Sequence, residues 1–175
     1  QLLPTDVLDV EDTSVQTMLD QNLMTALRLS QAVARRMIKQ AADRDDDAYV
    51  GSIVNLSSIA ARRTHPDLLA YSVSSAALDQ MTRSMAVALA SKRIRVNAVA
   101  FGSVMSASLQ DILTENEDYR DEIIDKTPLG RIASATEIAE TVQYLASEGA
   151  GFMTGQILTV DGGRTLVDPV GTPAH

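Results

Sequence analysis

Short β-branched stretches alternate with longer stretches of helical periodicity, and this alternation constrains the fold more than any other feature of the sequence. Three stretches are predicted strands: SIVNLSS (52–58), IRVNAVA (94–100) and GQILTVDGG (155–163). Four stretches are predicted helices: residues 13–40, where apolar residues recur at helical spacing, residues 71–91, which are rich in Ala, Met and Ser, and residues 106–125 and 134–147. Strands joined by helices of this length indicate right-handed crossovers, and hence an α/β fold with a parallel sheet covered by helices.

The length of 175 residues is enough for one domain with a hydrophobic core, and we predict a single domain over residues 1–175. Three strands are few for a sheet covered on both faces, so one sheet edge and much apolar surface would stay uncovered. The chain also begins at Gln1 rather than Met. We therefore expect either further strands before Gln1 in the native gene product or other chains that cover this surface.

Charge and composition argue against several classes of function. Fifteen basic against twenty-three acidic side chains give a net charge of −8, a field that repels a phosphate backbone and argues against a nucleic-acid partner. The sequence has no cysteine, which excludes disulfides and thiolate chemistry and fits a cytoplasmic protein. No apolar run approaches the roughly 20 residues of a membrane span, and no signal peptide is visible.

Two local patterns give further predictions. Thr13 and Gln16 have the form of a capping box at the start of the first helix. The alternating aspartates of DRDDDA (43–48) resemble the start of a calcium loop, but Ala48 replaces the turn glycine and Val54 stands where a bidentate glutamate belongs. We interpret this stretch as a solvated loop and predict no metal site.

Six phrases together carry a family resemblance: LDQNLMTALRLSQA, GSIVNLSSIAA, YSVSSAALDQMTRSMAVALA, IRVNAVAFGSV, PLGRIASATEIAETVQYLAS and TGQILTVDGG. In this order and spacing they resemble the classical short-chain dehydrogenase/reductase family over residues 12–165, and its 3-oxoacyl-thioester reductase branch in particular. The resemblance implies a Rossmann-like fold. It also implies hydride transfer between NAD or NADP and a small-molecule carbonyl or alcohol substrate.

The family's catalytic tetrad is Asn, Ser, Tyr and Lys, and three positions match it. Ser58 stands thirteen residues before Tyr71, and the resemblance implies a hydrogen bond from Ser58 to the substrate oxygen and a general acid/base role for Tyr71. Asn22 matches the asparagine that organises a water relay. Taken without the family, Ser58 is a strand-end cap, Tyr71 an aromatic at a helix start, and Asn22 a core amide bonded to nearby backbone.

The fourth position departs from the family, because Ser75 stands one helical turn after Tyr71 where the family has its lysine. That ammonium would bind the cofactor ribose and lower the tyrosine pKa, by about three units for charges about 4 Å apart at an effective dielectric of about 20. Without it, roughly one tyrosine in a thousand is ionised at pH 7. Arg62, Arg63 and His65 precede Tyr71 and are the candidate replacement cations, although arginines on loops are usually only solvated.

The resemblance to the family is partial for the residues that would bind the cofactor. Phe101-Gly102 replaces the family's Pro-Gly, Val104 keeps the backbone position that holds the nicotinamide amide, and Ser106 replaces the usual threonine. The glycine-rich phosphate turn of a dinucleotide fold should follow a first strand and open a helix, and the sequence has none. GAGFMTG (149–155) is spaced differently, and we interpret it as a loop. We thus predict a Rossmann-like fold without its N-terminal strands and glycine-rich turn.

Two functions of different class remain open. The first is a nicotinamide-dependent oxidoreductase whose activity is weakened by Ser75. The second is a non-catalytic relative that serves as an assembly or regulatory subunit. In either case we expect a homodimer or homotetramer, because the second helix carries small or adaptable residues such as Ala77, Met81 and Ala88.

Overall fold

The computed structural model describes residues 5–42 and 49–170, so the aspartate-rich loop at 43–48 lies outside the described residues. Within them there are six α-helices: α1 (Ser14–Met18), α2 (Thr25–Gln40), α3 (Leu69–Ala90), α4 (Ala107–Glu115), α5 (Glu117–Asp125) and α6 (Ala135–Ala146). The same ranges contain five strands: β1 (Gly51–Ser58), β2 (Ile94–Phe101), β3 (Val104–Met105), β4 (Ala133–Ser134) and β5 (Ile157–Val160). A π-helical segment, Leu19–Met24, joins α1 to α2.

The main sheet has the order β1-β2-β5, and both of its strand pairs are parallel, which confirms the predicted parallel sheet. In its register Ser58 pairs with Phe101, and Phe101 pairs with Val160. The carboxyl ends of all three strands therefore meet at one edge. Ligands of open α/β sheets bind outside this edge.

Helices cover both faces of this sheet. On one face Ile53 and Val96 pack with Ala34 of α2 and Ala86 of α3. On the other face Val99 packs with residues of α6, including the fully buried Leu145. Alternate residues of a strand point to opposite faces, so successive residues of β1 contact α3 and α6 in turn.

The π-helical segment and the start of α1 differ from the predicted regular, capped helix. The predicted capping box is wrong, because the Thr13 side chain makes no capping hydrogen bond. Asp12 takes that role instead, since its carboxylate accepts the Ser14 N–H at 2.6 Å. The observed capping box lies at α6, where the Ser134 hydroxyl accepts the Glu137 N–H and the Glu137 carboxylate accepts the Ser134 N–H.

Other differences are small. The predicted helix over 106–125 is broken at Asn116 into α4 and α5, and the third predicted strand is shorter, Ile157–Val160. A two-stranded sheet, β3-β4, was not predicted, because strands of two residues carry no periodic signal. Apolar side chains remain uncovered: Leu56 on β1 is 57% exposed and Val87 on α3 is 80% exposed. In the described part of the chain, no helix is long and apolar enough to cross a membrane.

Candidate active site

A cavity of about 1610 Å³ lies at the carboxyl edge of the main sheet. Six of the seven predicted site residues line it: Asn22, Ser58, Tyr71, Gly102, Val104 and Ser106. The seventh, Ser75, lines a smaller cavity of about 290 Å³ that shares Asn22 and Tyr71 with the larger one. The residues that the sequence analysis grouped are therefore grouped in space, around two adjoining cavities.

Ser58 is the last residue of β1 and is buried. Its backbone is extended, and its Oγ accepts the Ala60 N–H at 3.1 Å, which caps the short 3₁₀ helix Ile59–Ala61. The Ser58 hydroxyl oxygen therefore acts as the predicted strand-end cap through one of its lone pairs. A serine hydroxyl also has a proton to donate, so Ser58 can cap this turn and still donate to a ligand in the cavity.

Tyr71 is the third residue of α3 and is half-buried. The position at a helix start holds its backbone in regular geometry, and its side chain lines both cavities. Ser58 and Tyr71 come from different elements, a strand end and a helix start, and share the wall of the larger cavity. A ligand in this cavity therefore has access to two hydroxyl groups.

Asn22 lies in the π-helical segment, a type of helix distortion frequent at functional sites. Its Nδ2 donates to Ser74 Oγ at 3.1 Å, and Ser74 Oγ donates to the Tyr71 carbonyl at 3.0 Å. The amide therefore reaches Tyr71 through a hydroxyl rather than through direct contact with backbone. Ser74 was not predicted as a site residue, because a serine three positions after a tyrosine in a helix is unremarkable without its long-range partner Asn22.

Ser75 is only 4% exposed and lines the smaller cavity together with Tyr71 and Ser57. None of the residues that line this cavity is basic. Arg62, Arg63 and His65 line the larger cavity instead. The position that is lysine in the family therefore carries the neutral hydroxyl of Ser75. Within the described residues, the cavity that Ser75 shares with Tyr71 has no basic residue in its lining.

Two buried polar contacts tie β1 to α3 next to these cavities. Ser57 Oγ donates to Asp79 Oδ1 at 2.5 Å, and Asn55 Nδ2 donates to Thr82 Oγ1 at 2.9 Å. Ser57 and Asp79 are each 4% exposed. Sequence reasoning missed Asp79, although an acid one turn after Ser75 in a largely apolar helix is a visible signal.

The segment after β2, residues 102–104, also lines the larger cavity. The Gly102 N–H donates to the Val160 carbonyl at 3.1 Å, and an added Cβ at Gly102 would lie 3.1 Å from Asp161 Cβ, so a larger residue would press on this strand end. The Val104 carbonyl accepts the Ser106 N–H at 2.7 Å. Ser106 Oγ accepts the Leu109 N–H and so caps α4.

Asp161 fixes the turn that follows β5. Burial disfavours its charge, but hydrogen bonds from the Thr165 and Gly163 N–H groups outweigh burial and lower the pKa of the carboxyl from its usual value. The turn carries Arg164 to the cavity, where its guanidinium donates to Ser103 Oγ at 3.0 Å. Arg164 was not predicted as a site residue, because its proximity to Ser103 spans 61 positions in the sequence.

Comparison with known proteins agrees with this architecture. Residues 1–165 match the family described as enoyl-(acyl carrier protein) reductase. The 3-oxoacyl-[acyl-carrier-protein] reductase of Chlamydia trachomatis is 33% identical over 147 residues, which are 84% of this chain and 55% of that protein. The chain therefore belongs to the classical short-chain dehydrogenase/reductase family, as the sequence phrases predicted.

Solved structures show the same likeness. Gluconate 5-dehydrogenase from Burkholderia cenocepacia, in complex with NADP and tartrate, superposes with a TM-score of 0.81 at 27% identity, over 96% of this chain and 62% of that chain. For 4-hydroxyisoleucine dehydrogenase complexed with NADH the TM-score is 0.84 at 28% identity, over 96% and 66%. The chain spans about half the length of the curated relatives that it matches.

Proposed function

We propose that this protein is an NAD(P)-dependent oxidoreductase that transfers a hydride between the nicotinamide and a small carbonyl or alcohol substrate. The observation that carries the proposal is the cavity that Ser58 and Tyr71 line together with Gly102 and Val104. Membership of the family supports it, as do the neighbours solved with NADP and with NADH.

The described residues fit the nicotinamide end of the cofactor. Tyr71, Gly102, the Val104 backbone and the Ser106 hydroxyl line the cavity, and the Val104 carbonyl keeps a second lone pair for an amide. When bound, the nicotinamide supplies or accepts the hydride. Among residues 5–42 and 49–170 there is no glycine-rich turn from a strand into an α-helix, the element that binds the cofactor phosphates.

The polar part of the chemistry falls to Ser58 and Tyr71. In reduction, the Tyr71 hydroxyl gives its proton to the carbonyl oxygen, and in oxidation the tyrosinate removes a proton from the alcohol. Ser58 donates a hydrogen bond to the same oxygen and stabilises the negative charge that develops there. Asn22, through Ser74, holds the first turn of α3 and hence the position of Tyr71.

Ser75 limits the proposed activity, because it is neutral where the family has a lysine. A lysine there would place a cation beside Tyr71, but the smaller cavity has no basic residue on its wall. The tyrosinate that oxidation needs therefore has no stabilising cation among the residues that line this cavity. Reduction, which needs the protonated phenol, loses less.

The alternative is a non-catalytic assembly or regulatory subunit, and the buried Ser75 beside a cavity without a cation is the observation that favours it. We further propose a homodimer or homotetramer, supported by exposed apolar residues on α3 such as Val73 and Val87. We also propose that the protein acts in the cytoplasm. We propose no nucleic-acid partner, because the net charge of −8 repels a phosphate backbone.

Nucleotide binding distinguishes these functions. The 175-residue chain is titrated with NADH and with NADPH by nicotinamide fluorescence, beside Ser75→Lys and the matched control Ser84→Lys on the exposed side of α3. An oxidoreductase binds at least one nucleotide with a dissociation constant on the order of micromolar, and Ser75→Lys, but not Ser84→Lys, tightens it. Binding of neither nucleotide by any of the three proteins favours the assembly or regulatory role.

A further inference from the structure

The larger cavity carries positive charge in a chain that is acidic overall. Four of its lining side chains are basic: Arg62, Arg63, Lys126 and Arg164. One lining side chain, Asp111, is acidic. The chain as a whole has fifteen basic and twenty-three acidic side chains, so the sign of the charge is reversed where Ser58 and Tyr71 lie.

The three arginines of this group hydrogen-bond to neutral atoms. Arg62 donates to Thr159 Oγ1 at 3.2 Å, and Arg164 donates to Ser103 Oγ at 3.0 Å. Arg63 donates to the Thr165 carbonyl. Lys126, in contrast, lies 3.4 Å from an Asp125 carboxylate oxygen, and His65 lies 3.7 Å from Asp67. Within the described part of the chain the three arginines form no ion pair with a carboxylate.

Two of the arginines are linked through one turn of the chain. Arg63 donates to the carbonyl of Thr165, the residue directly after Arg164, although Arg63 and Thr165 are 102 positions apart in the sequence. Arg164 is half-buried, and its guanidinium donates to Ser103 Oγ. Each guanidinium group has further N–H donors in the planar arrangement that matches an oxyanion.

We infer that the substrate carries an oxyanion, a carboxylate or a phosphate, on the part of the molecule that does not react. Arg63 and Arg164 bind that group, while Ser58 and Tyr71, which line the same cavity, bind the carbonyl or alcohol. The inference rests on the proposed oxidoreductase function and adds a substrate class to it. Arginine charge in a cleft also raises the local concentration of an anionic substrate.

The test compares charged ketones with neutral counterparts that keep the ketone and lack the charge. Binding of 4-oxopentanoate and its methyl ester, and of dihydroxyacetone phosphate and dihydroxyacetone, is measured by ligand-observed NMR on the full 175-residue chain. We expect at least one anion to bind about tenfold more tightly than its neutral counterpart. A preference in the first pair identifies a carboxylate, and one in the second pair identifies a phosphate.

Variants test whether the arginines cause the preference for anionic over neutral ketones. Arg164→Gln, and separately the double variant Arg62→Gln/Arg63→Gln, should each reduce anion binding by about tenfold and leave the neutral ketone unchanged. The control is Lys92→Gln, which removes the same charge from an exposed turn before β2, at the opposite edge of the sheet. Folding of each variant is checked by its amide NMR spectrum, and the two arginine variants lie in different loops.

Equal affinity for both members of each pair overturns the inference, as does binding of none of the four probes or an equal loss with Lys92→Gln. Nucleotide titrations on the same samples separate this failure from failure of the proposed function. Nucleotide binding without anion preference rejects only the substrate class. Anion preference without nucleotide binding rejects the oxidoreductase and retains an arginine-based oxyanion site.

Discussion

The Ser57 hydroxyl donates a 2.5 Å hydrogen bond to the Asp79 carboxylate, and both side chains are buried. Ser57 directly precedes Ser58, and Asp79 lies two helical turns after Tyr71 on α3. The contact therefore holds the end of β1, which carries Ser58, against α3, which carries Tyr71. The neighbouring contact between Asn55 and Thr82 acts in the same direction.

Removal of the Ser57 hydroxyl should be costly, because Asp79 then loses its hydrogen-bond donor while still buried. We expect Ser57→Ala to lower the free energy of unfolding by about 1.5–3 kcal/mol, the range for hydrogen bonds to charged groups. Urea denaturation followed by circular dichroism measures this value. Ser91→Ala, an exposed serine after α3, is the control and should change stability by less than about 0.5 kcal/mol. A loss for Ser57→Ala as small as for the control would show that the contact does not stabilise the fold.

The capping box of α6 makes stability depend on pH. The hydrogen bonds from Arg131 and then from the Ser134 N–H lower the pKa of Glu137 from its usual value to about 2. Because the pKa is lowered in the folded state, the stabilisation is complete above the unfolded value of about 4.3 and is lost as pH falls toward 2. Arg131 binds this carboxylate through two N–H groups, at 2.8 and 2.7 Å.

We therefore expect Glu137→Gln to lower the melting temperature at pH 6 and to lose most of that difference at pH 2. Melting curves of the wild type and the variant at half-unit steps between pH 2 and pH 6 measure it. The control is Glu140→Gln, an exposed position on the same helix. A difference that is the same at every pH would mean that the ionised carboxylate is not the stabilising group. Added salt should reduce the effect, since the pair is exposed.

The exposed side of α3 makes the proposed assembly testable. Met81 is half-buried, and Val73 and Val87 on the same helix are 40% and 80% exposed. A charge placed in such a surface would oppose close contact between two copies, so Met81→Asp should elute as a smaller species in size-exclusion chromatography. Gln110→Asp, on the exposed side of α4, is the control and should elute as the wild type does. An unchanged elution volume for Met81→Asp would reject this helix as the interface.

Local patterns predicted the fold class, and the family resemblance supplied the candidate site residues. Short β-branched runs predicted β1 and β2, and the helical stretch at 71–91 predicted α3, each to within two residues. The resemblance implied that Ser58 and Tyr71 act together, and both line the same cavity. Spacing within α3 likewise predicted that Ser75 lies beside Tyr71, and the two line the smaller cavity.

What could not be predicted depends on contacts between distant residues. The Ser57–Asp79 bond needs the register of β1 against α3, and the approach of Arg63 to Thr165 spans 102 positions. The capping box was predicted at Thr13 from the pattern Ser/Thr-x-x-Glu/Gln. This pattern names residue types and does not specify the backbone conformation that brings the side chain to the N–H groups. There the Asp12 carboxylate binds the Ser14 N–H and the Thr13 side chain makes no capping bond.

We propose that Tyr71 is the acid/base group and that Ser75 leaves it without the cation that oxidation needs. The first measurement is the rate at which NAD⁺ and NADP⁺ oxidise 4-hydroxypentanoate and glycerol 3-phosphate, the alcohols of the two anionic ketone probes, at pH 7. It compares the wild type, Ser75→Lys and Ser75→Lys/Tyr71→Phe. A restored ammonium would stabilise the tyrosinate that removes the proton from the alcohol, so we expect Ser75→Lys to be at least about tenfold faster than the wild type. The double variant should lose this gain entirely. Equal rates for the wild type and Ser75→Lys, or a gain that survives Tyr71→Phe, would contradict the account.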